Sequence, residues 1–238
     1  MGKKIPVKIA PDTIVTALFE IRFQALIKEE ELLGILYPIL IKNFPTLTRK
    51  KHAIPEEIRG HPDFRYLADY TFSNESFSVS FGSNVLVFEY LKDYKGWDDF
   101  YSNIKGVSEG IGKGIFGAPE RLSVRYINIL TDVSLEQALD INVRVGLDLG
   151  KQKLVTFRNQ FLTEGTTVLL TVIEQGKLRK GSVQMQGVII DLDVSCKENL
   201  PPVGTELLPI ISKLHEEEKF VFFNVLRQDF IDSRSPTY

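Results

Sequence analysis

The chain has 238 residues, 43 % of them hydrophobic and 25 % charged, with a formal net charge of −2. This is ordinary globular composition and excludes a disordered chain, a collagen-like chain and a disulfide scaffold. The near-neutral balance argues against general nucleic-acid binding, which needs a basic excess.

The length allows one large domain or two small ones, with a sizeable core that needs no metal or disulfide staple. The single cysteine, Cys196, cannot close an internal disulfide and suits a reducing compartment. Met1-Gly2-Lys3-Lys4-Ile5-Pro6 carries positive charge but no apolar h-region, and Pro6 stands where a myristoylation signal wants Ser or Thr. The longest apolar window, Leu32 to Ile41, falls well short of the roughly 20 residues that span a bilayer. A cytoplasmic, soluble protein that does not engage a membrane is the expectation.

In chain order, Ile14 to Gln24 alternates cleanly. Val15, Ala17, Phe19, Ile21 and Phe23 take one face, and Thr16, Leu18, Glu20, Arg22 and Gln24 take the other, which predicts a half-buried strand. Glu29, Glu30 and Glu31 favour a helix start, and apolar spacing carries that helix to Leu40, with a kink or stop at Pro38. Phe44 to Pro62, with three prolines and the basic run Arg49 to His52, reads as a long solvated loop. Strands are predicted over 65–73, 76–82 and 84–92, then a helix from Trp97 into the glycine cluster 106–117.

The second half opens with a strand from Arg121 to Leu130, followed by one helical turn at Ser134 to Ala138. Strands follow near 141–149, 153–163, 166–174 and 182–195, with a tight hairpin at Glu164-Gly165 and a basic loop from Gln175 to Gly181. A last helix is predicted over Thr205 to Phe230, its apolar stripe running through Leu207, Ile211, Leu214, Val221, Phe222, Val225 and Leu226. Consecutive hairpins between helices predict an α+β fold, an antiparallel sheet with helices packed on one face, in a single domain over 1–238. Residues 10–117 and 118–238 can both be written as strand, helix, strands, helix, a pattern that suggests pseudo-repeat halves.

Chemistry-bearing motifs are sparse. Gly112-Lys113-Gly114-Ile115-Phe116-Gly117 fits G-x-G-x-x-G, but a helix precedes it and a strand follows, the reverse of a dinucleotide fingerprint. No Walker A loop, nucleophile elbow or zinc-ligand spacing is present. His215, followed by Glu216, Glu217 and Glu218, reads as a helix-surface or packing residue, and Trp97 as a core anchor. Cys196 has only Lys197 as a basic neighbour and is not read as a nucleophile. No catalytic residue, metal site or cofactor is assigned.

The charged strand faces stand out. Glu20 and Arg22, Ser123 and Arg125, and Asp191 and Asp193 are each two apart, hence on one face of a strand and about 7 Å from one another. With Asn128 on the same strand as Arg125, the candidate ligand-binding set is Glu20, Arg22, Arg125, Asn128, Asp191 and Asp193. Three roles are open to these residues. They form cross-strand ion pairs; or Arg22 and Arg125 bind an anionic ligand such as a phosphate or carboxylate; or Glu20, Asp191 and Asp193 hold a divalent ion in a phosphate-processing hydrolase. The basic runs Arg49 to His52 and Lys177 to Lys180 read as solvated surface rather than a nucleic-acid patch.

Four segments are familiar together: Phe19-Glu20-Ile21-Arg22-Phe23; Tyr94-Lys95-Gly96-Trp97-Asp98-Asp99-Phe100; Arg121-Leu122-Ser123-Val124-Arg125-Tyr126-Ile127-Asn128; and Leu214-His215 with Phe220 to Leu226. In this order the chain resembles a sporadically distributed prokaryotic family of proteins of similar length with no established function. The resemblance supplies no activity, cofactor or catalytic residue. Its patchy distribution implies an accessory setting, anti-phage defence included. The leading expectation is a non-catalytic binding protein acting through a protein partner or as a homo-oligomer; the hydrolase and a sensor of a small anionic, nucleotide-like ligand are the alternatives.

Overall fold

The computed structural model describes residues 3–50, 61–112, 114–141, 155–163 and 165–238. Its elements run β1 Ile14–Phe23, α1 Glu29–Leu40, β2 Thr46–Arg49, β3 Tyr70–Ser73, β4 Phe77–Gly82, β5 Val85–Tyr90 and α2 Trp97–Gly110. There follow β6 Pro119–Leu130, α3 Leu135–Ala138, β7 Thr156–Leu162, β8 Thr167–Lys180, β9 Val183–Cys196, α4 Leu208–Val225 and α5 Gln228–Asp232. Short 3₁₀ turns occupy Pro62–Phe64 and Thr205–Leu207. Among the described residues no helix is long and apolar enough to cross a membrane.

The strands form one antiparallel sheet in the order β2-β3-β4-β5-β1-β6-β9-β8-β7. The fold is therefore α+β, as the hairpin-rich sequence predicts. The first five strands of the chain lie on one side of the sheet and the last four on the other. β1 and β6 meet at the centre, and each is flanked by the last strand of its own side, β5 and β9.

Period-two patterning gives the sheet two different faces. Phe72, Val79, Phe88, Phe19, Val124, Val194 and Val168 stand opposite one another in turn from β3 to β8, and all are buried. The helices cover this apolar face. Tyr37 of α1 meets Phe72 at 5.9 Å between ring centroids, and Phe100 of α2 meets Phe77 at 5.7 Å. α4 packs over β6 and β9. Tyr126 and Asn128 are where β6 brings polar groups into this otherwise apolar layer.

Several expectations need correction. The stretch 44–62 is not all loop, because Thr46–Arg49 pairs with β3 as an edge strand. The first strand of the following meander starts at Tyr70 rather than 65. Pro38 does not end α1 near Tyr37; the helix continues to Leu40, although Pro38 has no N–H to bond the Gly34 carbonyl, and it stops within one turn of the proline. The basic segment 175–181 is strand almost throughout, since β8 runs to Lys180 past a register shift between Ile173 and Gly176. The last helix breaks after Val225 and resumes at Gln228. The strand expected near 141–149 and the basic residues Lys51 and His52 lie outside the described residues.

Candidate functional site

The predicted charged face exists. Glu20, Arg22, Arg125, Asp191 and Asp193 all project from the side of the sheet opposite α4, on the neighbouring strands β1, β6 and β9. They are joined by Arg121, which organises them. One of its terminal nitrogens donates to Glu20 Oε1 at 2.8 Å and to Ser123 Oγ at 2.7 Å. The other donates to both oxygens of Asp193 at 2.6 and 2.8 Å. Arg22 Nε donates to the same Glu20 oxygen at 2.7 Å, and its guanidinium lies over the Tyr66 ring at 4.4 Å. Arg125 grips Asp191 through two bonds of 2.8 and 2.6 Å.

Three guanidiniums thus meet three carboxylates in charge-assisted hydrogen bonds; Arg125 and Asp191 form a full fork, the strong form of such a bond, and one Arg121 nitrogen reaches both oxygens of Asp193. Each carboxylate that a metal would need is held by an arginine, and each arginine that an anion would need holds a carboxylate. The hydrogen bonds to Asp191 raise the Arg125 pKa, so the guanidinium stays charged in the pair. Among the described residues no cluster of His, Cys, Asp and Glu has the geometry of a metal site. What these groups do in place is pin β1, β6 and β9 together across the sheet centre.

Asn128 is on the other face. It is 1 % exposed, and its Oδ1 accepts the Thr13 hydroxyl at 2.8 Å. It lines a cavity of about 880 Å³ between the N-terminal segment, the start of α2, β6 and α4. Helical spacing places His215 and Glu218 three apart on the α4 face that looks into this space, with Phe222 one turn further. The turn before α2 contributes Tyr94, and α2 contributes Trp97 at its first position.

The cavity is lined by an aromatic and hydrogen-bonded cluster. The Trp97 and His215 rings stack at 3.9 Å between centroids and 8° between planes. The Tyr94 and Tyr126 hydroxyls share a hydrogen bond of 2.9 Å, and the Tyr126 hydroxyl lies 3.3 Å from His215 Nδ1. Burial pushes the His215 pKa down to about 3, with the Lys219 charge adding to the effect, so the imidazole is neutral. Burial raises both tyrosines as well.

Glu218 differs from the rest. It is 5 % exposed, lines the cavity, and makes no hydrogen bond or ion pair with any described residue. Burial pushes its carboxyl up to about 8, with no compensating cation. The neighbouring Glu217, by contrast, accepts the Thr166 hydroxyl at 2.7 Å and ties α4 to the β7–β8 connection. A neutral imidazole, a protonated carboxyl and two phenols around an apolar hollow can donate and accept hydrogen bonds to a guest without carrying net charge themselves.

Of the candidate set, then, five residues meet on the sheet face as ion pairs, and Asn128 alone reaches the cavity. Arg121 and Glu218 were not singled out from sequence, although each could be found. Arg121 obeys the same period of two as Ser123 and Arg125. Glu218 sits seven after Ile211, four after Leu214 and four before Phe222, in the middle of the apolar stripe. His215 is buried against Trp97, which is the packing alternative of the two read from the sequence. The Tyr94–Phe100, Arg121–Asn128 and C-terminal segments quoted above all contribute to the cavity wall. The sequence matches no protein-family model and no curated protein.

Proposed function

We propose that this chain is a non-catalytic binding protein of the cytoplasm whose first ligand is a small organic molecule, held in the cavity between the N-terminal segment, α2, β6 and α4. The observation that carries this is Glu218: a buried carboxyl without a partner, facing a hollow large enough for a metabolite-sized guest. The arginines of the sheet face are engaged by the chain's own carboxylates, which moves the ligand from that face to the cavity. Ligand occupancy is passed on through a protein partner or a second copy of the chain. The family resemblance supports an accessory, defence-type setting.

Native mass spectrometry of the protein purified gently from its own host, against the denatured sample, tests the reading. A small molecule retained by the native protein and lost on denaturation is the expected result. Val7 lines the mouth at 62 % exposure, so V7W narrows the entrance without touching the core and abolishes retention. The same spectrum shows the partner or oligomer. A bare chain, together with melting curves unmoved by a chemically diverse ligand panel, overturns the reading.

A further inference from the structure

We propose that the cavity selects an organic cation, an ammonium or amidinium carried on an apolar or aromatic body, with Glu218 as its counter-charge and Tyr94, Trp97, Tyr126 and Phe222 as its walls. This inference rests on the ligand-binding reading above and names the class of guest.

Three observations converge on it. Glu218 is buried and lacks a partner, and a buried carboxyl is satisfied either by holding its proton or by meeting a cation. Among the described residues no cation pairs with it: Lys219, the next residue on α4, reaches toward Glu216 at 4.0 Å instead. The other charged groups on the wall balance, Asp12, Asp98 and Glu216 against Lys8, Lys95 and Lys219, so Glu218 decides the sign of the site once it ionises. The walls are aromatic, and ring faces attract cations where water is excluded.

Binding then exchanges a proton for the guest. The proton on Glu218 must leave before a cation can pair with the carboxylate, so affinity rises with pH until the carboxyl is ionised in the empty protein, at about pH 8. The other ionisable groups around the hollow are Lys8 and Asp12 from the N-terminal segment, Tyr94, Lys95 and Asp98 from the α2 side, Tyr126 from β6, and His215, Glu216 and Lys219 from α4. Glu218→Gln separates the titration of Glu218 from theirs.

The test is calorimetric titration of the full chain with benzamidine, its neutral twin benzamide and the anion benzoate, from about pH 6 to about pH 9. Tyramine serves as a second cation. Benzamidine should bind more tightly than benzamide, with affinity rising about tenfold per pH unit before levelling. Glu218→Gln keeps the shape of the site and should fold. It should weaken benzamidine at least about tenfold and remove the pH dependence, while benzamide binding persists. Benzamidine and tyramine binding no tighter than benzamide, or benzamidine affinity unchanged in Glu218→Gln, overturns the cation class and leaves the binding reading standing. Failure of all four compounds to bind overturns the cation class, and the native spectrum and ligand panel described above decide the binding reading.

Discussion

Arg121 holds three partners at once on a sheet face that is only partly open to water; its side chain is 14 % exposed, against 18 % for Glu20 and 19 % for Asp193. Removing it leaves the poorly solvated Asp193 without its partner and Glu20 with Arg22 alone, and stranding one member is the costly way to break an ion pair. Arg121→Met should cost about 2–4 kcal/mol in urea denaturation. Arg125→Met should cost about 1 kcal/mol or less, because that guanidinium is 39 % exposed. At this scale the sequence was informative about placement and silent about pairing. Alternation alone put Glu20, Arg22, Arg125, Asp191 and Asp193 on common faces. Strand order, which alternation does not encode, decided that they neutralise one another. Glu218 was hidden for a different reason: it stands in a run of three glutamates, and such a run normally marks a solvated face. Only the helical period through Leu214 and Phe222 separates it from its neighbours.

Among the elements, the turn before β3 is fitted to the sheet by a glycine. A Cβ at Gly82 would stand 1.9 Å from the Leu67 carbonyl oxygen, so this strand end accepts the 62–69 segment only because it has no side chain. That segment carries Tyr66, whose hydroxyl donates to Glu120 at 2.7 Å, and Arg65, which donates to the same carboxylate at 2.9 Å. Gly82→Ala should therefore destabilise the protein by about 1–3 kcal/mol, measured by denaturation, since backbone rather than a flexible side chain must move. The elements missed from sequence share a cause, namely that their structure is imposed by neighbours. β2 has four exposed residues and, among the described residues, pairs with β3 alone. The end of β8 looks like a glycine-containing basic loop but is held by β9 from Gly176 to Lys180. The last helix stops because the backbone beyond it is taken by α3's exit: Asp140 N–H donates to the Val225 carbonyl and Arg227 N–H to the Ala138 carbonyl, both at 2.8 Å. Apolar periodicity continues through that break and could not reveal it.

For the whole molecule, the buried ionisable groups set how stability responds to pH. His215, about 3 when folded against an ordinary 6.5, contributes stability that is full above about pH 6.5 and lost as acid approaches pH 3. Glu218 works in the opposite sense. Its carboxyl, near 8 when folded against an ordinary 4.5, makes folding most favourable below about pH 4.5, and the benefit is lost as pH rises through 8. Glu29, pushed up to about 7 by burial and then by facing Asp69, adds to that loss. Histidine and carboxyls oppose each other between about pH 4.5 and 6.5. Above that only the carboxyls act, so the urea midpoint should fall from about pH 6.5 to pH 8, and Glu218→Gln should flatten most of the decline. The stacking of Trp97 on His215 has a further use. Trp97 is the only tryptophan in the chain, so every indole photon originates at the cavity wall. Emission wavelength and intensity report the polarity and ring contacts around that one indole. The unlabelled protein thereby carries its own optical gauge of whether the hollow is wet, filled or open.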